Sequence, residues 1–533
     1  MKRSASLMAD RLQARRYQLI FCLICFGIAL TFGLLVTQSG PGISPDSIQY
    51  IKVGEAIYQG HGFPSDYAHY PLYPLLIAGF MHLGFGGESA ARLIPVLCFA
   101  LLVFPVFSLG KMIGGTLVGY ASCLACLVCT PLLVVTSYAL TDMPLVLLGI
   151  SAILFLVKFA TSYEASTKWL LLSALLTAAA ILMHLGGLIL IGVGLIVILV
   201  KNKWRIRRSA LQISLFLAIS CLPAVPWFVR NKIVTSHWTQ PLGIQGSISY
   251  SATPRVVHWI GITVLPYVLP YRSSRVMRDT YAQFGFDFHH YIFIVGAILG
   301  ALFILWLISI ILVAIQLKHK GVFSTYLRRN YVPIIYILVH LVGLIVASAI
   351  WGLDYEDRYL SLLYPLIAIV TISLVFHAYR TIRSSSPRLP LFLVIGLSCV
   401  YLFGLQAASS AGFYQIAKHG QGYNSEFWRN SQAIAYVKSN LLDNAPVYTN
   451  CVMPMSVRVE NPISLPGSED EKGIEAFFET VRNEEDALVI GFKQTCVPGL
   501  ITNDEIIARE AQYHVLVPAA DFPEATIWSI RPQ

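Results

Sequence analysis

Charged residues are scarce in this chain. They make up 12% of its 533 residues, whereas apolar residues make up 56% and the mean hydropathy is +0.66. A soluble protein carries about twice that share of charge, so the soluble globular class is excluded. The sequence predicts an α-helical polytopic membrane protein.

The chain also lacks paired cysteine or histidine spacings of the kind that bind metals. Of its 10 cysteines, Cys123, Cys126 and Cys129 recur every third residue in an apolar stretch without His or carboxylate neighbours. This pattern indicates helix packing rather than a metal site.

No small-residue cleavage site follows the first apolar run, residues 17–37. The run is longer than the apolar part of a signal peptide, so we expect a retained first transmembrane helix.

Long apolar runs predict about 11 transmembrane helices. We place them at 17–37, 91–113, 116–137, 143–160, 169–183, 186–200, 209–229, 291–317, 331–350, 359–379 and 389–408. The run 169–200 is too long for one crossing, and we divide it at Met183-His184-Leu185-Gly186-Gly187. With the N-terminus in the cytoplasm, the predicted cytoplasmic segments carry 20 basic and two acidic residues, which follows the positive-inside rule.

The outer face then comprises a first loop (38–90), a short second loop (137–142), the His184 turn, a basic fourth loop (230–290), a fifth loop (351–359) and the C-terminal region. Residues 1–409 form the predicted membrane domain, and 410–533 a small extracytoplasmic α/β domain with 9 basic and 16 acidic residues. Helical spacing covers Glu426 to Leu442, and strands are expected at 446–448, 487–490 and 513–517. Cys451 and Cys496 both lie in this domain, where a disulfide is chemically allowed.

Asp46 is a lone carboxylate at the expected start of an amphipathic helix. Ser44 is suited to cap this helix and Pro45 to occupy its first position. A helix-start role and a catalytic role are equally compatible with the local sequence. For Asp142, a first-turn acid of the fourth span, the local sequence alone favours the helix-start role. His184, in the predicted turn, is either an interfacial histidine or a functional one.

The loop 230–290 is basic although it is predicted to lie outside. It carries Arg230, Lys232, Arg255, Arg272, Arg275 and Arg278. Long loops are exempt from the positive-inside rule, so chance is one explanation. The alternative, which we favour, is an anionic ligand, because the arginine fork binds two phosphate oxygens at once.

Several short motifs, in a common order, resemble the GT-C glycosyltransferases. They are Pro45-Asp46 with Tyr50, Gly54 and Gly60; His69-Tyr70-Pro71-Leu72-Tyr73-Pro74; Ala91-Arg92-Leu93-Ile94-Pro95; Gly110-Lys111-Met112-Ile113-Gly114-Gly115; Thr141-Asp142-Met143-Pro144-Leu145; and Asp357-Arg358-Tyr359-Leu360. The resemblance is to the branch of protein O-mannosyltransferases and aminoarabinose transferases. Matching motifs occur in the first 230 residues, together with Asp357-Arg358-Tyr359-Leu360. The remainder resembles the family only in the arrangement of its predicted segments.

The resemblance implies an inverting glycosyltransferase that moves a sugar from a polyprenyl-phosphate donor to an acceptor hydroxyl on the outer face. Asp46 corresponds to the family's catalytic carboxylate and Asp142 to its second acid. We expect substrate to be bound by Lys52, Glu55, His69, Tyr70, Arg92, His184, Arg230, Lys232, Arg272, Arg275, Arg278 and Arg358. The family implies a bacterial inner-membrane enzyme that needs no cofactor, although Asp46 and Asp142 are also suited to share a divalent metal.

The sequence departs from both named relatives. Ser47 follows the first Asp, where protein mannosyltransferases have Glu. Gln49 and His69-Tyr70 replace basic residues of the aminoarabinose transferases. The relatives' donor sugar and acceptor therefore do not carry over, and the acceptor class (lipid, glycan or protein) stays open.

The alternative function is a transporter or flippase of a lipid-linked glycan. Such carriers commonly contain internal repeats and midplane polar residues. The sequence shows no repeat and almost no ionisable residue within a span, which favours an enzyme acting at one face. A third hypothesis assigns the main role to the C-terminal domain. Nothing in the composition suggests a nucleic-acid partner.

Overall fold

The structure is a computed structural model. It describes residues 2–162, 166–238, 323–351, 357–382 and 413–530, with short gaps at 415, 441–444, 461, 485, 494–495 and 497–499, together with residues 308, 311, 315 and 396. The chain divides into two compact units. The membrane unit comprises Met1–Gln38 and Tyr50–Lys418, and the C-terminal unit comprises Ser39–Gln49 and His419–Gln533.

The membrane unit is helical. Its helices are α1 (Lys2–Val36), α2 (Pro45–Tyr58, which starts in the C-terminal unit), α3 (Leu72–His82), α4 (Gly87–Gly114), α5 (Thr116–Leu127), α6 (Thr130–Ser137), α7 (Asp142–Thr161), α8 (Ser166–Met183), α9 (Ile189–Lys201), α10 (Ile206–Cys221), α11 (Val225–Thr235), α12 (Phe323–Trp351) and α13 (Leu363–Ile382). Short 3₁₀ turns occupy Leu185–Leu188 and Asp357–Leu360. The fold class predicted from the sequence is confirmed.

In the described part of the chain, five helical stretches are long and apolar enough to cross a membrane: Gln13–Val36, Gly87–Gly114, Asp142–Thr161, Tyr326–Ala347 and Leu363–Arg380. The bent pairs α5–α6 (53°) and α10–α11 (47°) raise the number to seven if each pair is one span. The predicted spans 291–317 and 389–408 lie outside the described residues, apart from single positions. The total of 11 therefore stays a prediction.

Proline and glycine explain where the helices break. Pro131 stands in the first turn of α6 and Pro226 in that of α11, where a missing N–H costs nothing. The predicted break in 169–200 is confirmed between α8 and α9. There, a Cβ on Gly187 would lie 2.4 Å from the backbone carbon of Ala180, so only glycine lets the turn pack this closely.

The C-terminal unit contains a five-stranded sheet. Its elements are α14 (Glu426–Arg429), α15 (Gln432–Asn440), β1 (Val447–Thr449), α16 (Val452–Ser456), β2 (Ile463–Ser464), α17 (Glu471–Arg482), β3 (Leu488–Phe492), α18 (Asn503–Tyr513), β4 (Leu516–Asp521) and β5 (Ala525–Ile530). The strand order is β2-β1-β3-β5-β4. The first three strands are parallel, and β5 is antiparallel to both of its neighbours.

This unit matches the expected α/β composition. The first two expected strands correspond to β1 and β3. The third, 513–517, overlaps β4 only at residues 516–517, because Tyr513 ends α18 and His514 caps that helix in a left-handed conformation. Strands β2 and β5 were not predicted. The expected helix 426–442 is divided into α14 and α15. Cys451 and Cys496 form a disulfide, with their Cα atoms 5.1 Å apart.

Candidate active site

Asp46 lies in the first turn of α2 and is half-buried. The predicted cap is confirmed, because the Ser44 hydroxyl accepts a hydrogen bond from the Ser47 amide at 3.3 Å. The Ser44 amide in turn donates to the Ser47 hydroxyl at 3.1 Å. This reciprocal arrangement resembles a capping box with serine at its third position, and it fixes the start of the helix that carries Asp46.

The segment before Asp46 is held by the C-terminal unit. Ile43 forms a parallel bridge with Gly422, and its carbonyl accepts from the Tyr423 amide at 2.9 Å. The buried side chain of Asn424 donates to the Pro41 carbonyl at 3.2 Å and accepts from Arg458 Nη2 at 2.8 Å. Residues far along the chain therefore determine the path of the backbone that leads into α2.

In the membrane unit, the predicted outer loops converge in one cluster of buried residues. It joins Tyr50 and Tyr73 from the first loop to Leu140 just before Asp142, and to Met183 just before His184. Trp227 of α11 packs against the same cluster. Four segments that are separate in sequence thus meet at one end of the helices.

Asp142 begins α7 at this end and is 4% exposed. Its Oδ2 lies 3.9 Å from Nη1 of Arg358, which is in the 3₁₀ turn before α13. The two predicted site residues are therefore brought together as an ion pair.

A histidine that sequence reasoning missed holds the turn that carries Arg358. His340 of α12 is buried, and its Nε2 lies 2.8 Å from the Tyr359 carbonyl. Because a carbonyl only accepts, Nε2 carries the proton, and Nδ1 accepts from the Tyr336 hydroxyl at 3.0 Å. A histidine inside an apolar span was the signal that could have revealed this contact.

Arg230 donates hydrogen bonds to the backbone of the first loop. Its guanidinium donates to the carbonyls of Pro64 and Tyr67, and to that of Phe63 at 3.4 Å. The neighbouring Asn231, 1% exposed, donates to the Ala68 carbonyl at 3.1 Å. These contacts give Arg230 a positioning role for the loop that leads into His69-Tyr70, while its predicted role in substrate binding stays a prediction.

Tyr70 and His184 face each other with ring centroids 6.1 Å apart. His184 Nδ1 accepts from the Gly186 amide at 3.0 Å, so the neutral ring carries its proton on Nε2. Burial raises the pKa of Tyr70 above its usual value, which keeps its hydroxyl protonated. The ring of His69 packs edge-on against Tyr50, with centroids 5.4 Å apart.

The carboxyl of Glu55 is partly buried, and this burial raises its pKa, against the opposing effect of Lys52. The Lys52 side chain is exposed. Arg92 donates through Nε to Thr37 Oγ1 at 2.8 Å and through Nη2 to the Leu34 carbonyl at 3.0 Å. This ties α4 to the end of α1.

The exposed Lys232 donates to the Ser236 carbonyl at 2.8 Å. Arg272, Arg275 and Arg278 lie outside the described residues. In the part of the chain that the structure describes, no group of three His, Cys, Asp or Glu side chains is arranged to hold a metal.

Comparison with known proteins identifies one family match within the chain. Residues 68–227 match the family of dolichyl-phosphate-mannose-protein mannosyltransferases. This segment includes His69, Tyr70, Arg92, Asp142 and His184. No curated protein sequence matches the chain significantly.

Solved structures of similar fold extend over nearly the whole chain. ArnT from Cupriavidus metallidurans in the apo state is 13% identical, with a TM-score of 0.60, covering 98% of this chain and 100% of that one. The same protein bound to undecaprenyl phosphate gives the same identity and TM-score, covering 96% and 99%. The oligosaccharyltransferase AglB from Archaeoglobus fulgidus, in complex with an inhibitory peptide and a dolichol-phosphate, is 13% identical with a TM-score of 0.53, covering 90% and 70%.

The mannosyltransferase-like segment and the ArnT-like fold agree with the order of motifs along the chain. Residues 68–227 are thus similar to protein mannosyltransferases, and the fold of the chain is similar to those of ArnT and AglB.

Proposed function

We propose that this protein is an inverting glycosyltransferase that moves a sugar from a polyprenyl phosphate to an acceptor hydroxyl at the outer face of a bacterial inner membrane. The observation that carries the proposal is the fold shared with ArnT, which has been described with undecaprenyl phosphate bound and matches 96% of this chain. The N-terminus and the basic helix ends then lie in the cytoplasm.

Asp46 acts as the general base in this proposal. It accepts the proton of the acceptor hydroxyl while the acceptor oxygen bonds to the anomeric carbon. The bond from that carbon to the phosphate oxygen breaks on the opposite side, and the polyprenyl phosphate leaves with the bonding electrons. The fixed helix start of α2 holds the carboxylate in place for this step.

Cationic groups stabilise the charge that grows on the departing phosphate. Arg358 is suited to this role because Asp142 and the turn held by His340 fix its position. Asp142 then acts by positioning Arg358. Lys52, Arg92, Lys232 and the cluster Arg272, Arg275 and Arg278 are the further candidates.

Neutralisation of the phosphate by arginine and lysine makes a divalent metal unnecessary in this scheme. We therefore propose that transfer needs no metal or other cofactor. Transfer that continues unchanged in excess EDTA supports this part of the proposal, and loss of transfer that Mg²⁺ or Mn²⁺ restores contradicts it.

The test uses the full-length protein in liposomes with radiolabelled undecaprenyl-phosphate hexoses and pentoses, offered with cell-envelope lipid and glycan fractions as acceptors. We expect label to move into acceptor. Asp46→Asn should abolish transfer, whereas Asp66→Asn, which alters an exposed acid of the same loop, should retain it. Movement of labelled lipid across the bilayer without transfer would instead identify a flippase.

A further inference from the structure

A small polar cavity lies among the ends of α4, α12 and α13, away from the candidate active site. Its lining includes Tyr326, Arg329, Asn330, Ser373, His377 and Arg380. Its enclosed part has room for about one water molecule, and the remainder is open to solvent.

The cavity is at the opposite end of the helices from Asp142. Helix α4 starts beside the buried cluster of outer loops and reaches the cavity at Ile113. Along α13, the path from Leu363, near the Arg358 turn, to Arg380 covers about 25 Å at 1.5 Å per residue. By the charge rule this end is cytoplasmic.

The cavity lies at the level where the apolar stretches of two helices end. The apolar stretch of α12 begins at Tyr326, and that of α13 ends at Arg380. Lipid headgroups lie at this level of a bilayer. A ligand in the cavity mouth would therefore meet the headgroup region rather than the hydrocarbon.

The inner part of the cavity is polar, and not all of its hydrogen-bonding groups have partners among the described residues. Asn330 is 1% exposed, and its Nδ2 donates to the Tyr326 carbonyl at 2.9 Å. Its Oδ1 is buried and has no hydrogen-bond partner among the described residues. A buried acceptor of this kind destabilises the protein unless a donor reaches it, so the site favours a ligand with a hydroxyl or amine.

The outer part of the cavity is cationic. Arg329 and Arg380 line it and are both exposed. Arg380 also approaches the end of α4, because a Cβ on Gly115 would be 3.7 Å from its Nη2. A water molecule alone would satisfy Asn330, but two guanidinium groups at the mouth favour an anion, and above all a phosphate.

We propose that this cavity binds the phosphate headgroup of an anionic phospholipid from the leaflet at that end of the helices. The phosphate lies between Arg329 and Arg380, and a headgroup hydroxyl donates to Asn330 Oδ1. Phosphatidylglycerol carries both groups. This site is separate from the polyprenyl phosphate of the proposed reaction and does not depend on it.

The test is native mass spectrometry of the full-length protein after release from nanodiscs of phosphatidylcholine with increasing phosphatidylglycerol. We expect retained phosphatidylglycerol in the wild type, and about tenfold weaker retention in Arg329→Gln and in Arg380→Gln, as expected for the loss of one charge-assisted contact. Arg328→Gln is the matched control, because Arg328 is an exposed neighbour that does not line the cavity. Each variant's thermal unfolding verifies its fold.

A second variant tests the inner part of the cavity. Asn330→Asp keeps the side-chain shape but adds a negative charge, and it should weaken retention as strongly as the arginine variants. Equal loss in Arg328→Gln, or no preference of the wild type for phosphatidylglycerol, overturns the proposal. Inorganic phosphate that binds with the same arginine dependence, while the lipid does not, overturns the lipid assignment in favour of a soluble phosphate compound.

Discussion

Gly422 controls how the C-terminal unit holds the segment that leads into Asp46. Its φ is +60°, and a Cβ at this position would lie 2.2 Å from the Ile43 carbonyl oxygen. In Gly422→Ala the alanine must adopt a left-handed conformation, which costs about 1–2 kcal/mol. The segment must also move away, which breaks the hydrogen bond from the Tyr423 amide to Ile43 and costs about another 1 kcal/mol.

Together these two effects cost about 2–3 kcal/mol. The cost weakens the local attachment of residues 39–49 and leaves the stability of the whole fold largely unchanged. It corresponds to a roughly 30- to 150-fold increase in opening of this segment. Hydrogen exchange of the Tyr423 amide in the full-length protein measures this opening. If Asp46 is the base, transfer should fall through kcat while the KM for the lipid donor changes little.

Gly473→Ala is the control, because it lies elsewhere in the same unit, where its Cβ would meet the Asp470 side chain that caps α17 rather than the segment 39–49. It should leave both exchange at Tyr423 and transfer near the wild-type values. Unchanged exchange in Gly422→Ala would refute the reasoning about the attachment. Increased exchange with full transfer would refute the link between this attachment and catalysis.

Four further predictions address other parts of the molecule. The double variant Cys451→Ser/Cys496→Ser removes the disulfide, which joins residues 45 positions apart. The lost constraint on the unfolded chain should destabilise the C-terminal unit by up to about 4 kcal/mol, and proteolysis of this unit should become faster. Arg230→Lys should still release the first loop, because one ammonium cannot reach three carbonyls in the way a guanidinium does, and proteolysis near residue 65 should increase as it does in Arg230→Gln. His340→Leu should lower transfer about tenfold through the loss of one buried hydrogen bond, while His340→Gln, which keeps a donor, should restore part of it. Glu55→Gln should raise the thermal unfolding temperature near pH 7. Burial raises the pKa of the Glu55 carboxyl in the folded protein, so its ionised form destabilises the fold at pH values above the pKa of the unfolded state. The gain in unfolding temperature should therefore vanish as pH falls toward 4.5, where the carboxyl becomes protonated.

Much of the membrane unit was predictable from the sequence, because the bilayer imposes simple requirements. Apolar runs long enough to span it have no other stable form than a helix, and the His184-Leu185-Gly186-Gly187 break was visible in composition. The cap at Ser44 was predictable for a different reason, because it depends on residues only three positions apart.

The contacts that position the candidate site were not predictable, because they join distant segments. Asn424 contacts Pro41 across 383 residues and Arg230 contacts Pro64 across 166 residues. Neither pairing leaves a periodic signal. The strands β2 and β5 were missed because their pairing is tertiary, and β2 is only two residues long.

The most direct test of the central claim is an experimental structure of the protein with a non-hydrolysable polyprenyl-phosphonate sugar and an acceptor bound. The account predicts an Asp46 carboxylate oxygen about 3 Å from the acceptor hydroxyl, on the side of the anomeric carbon opposite the phosphonate. A different carboxylate at that position, with Asp46 out of reach of the acceptor, would contradict it.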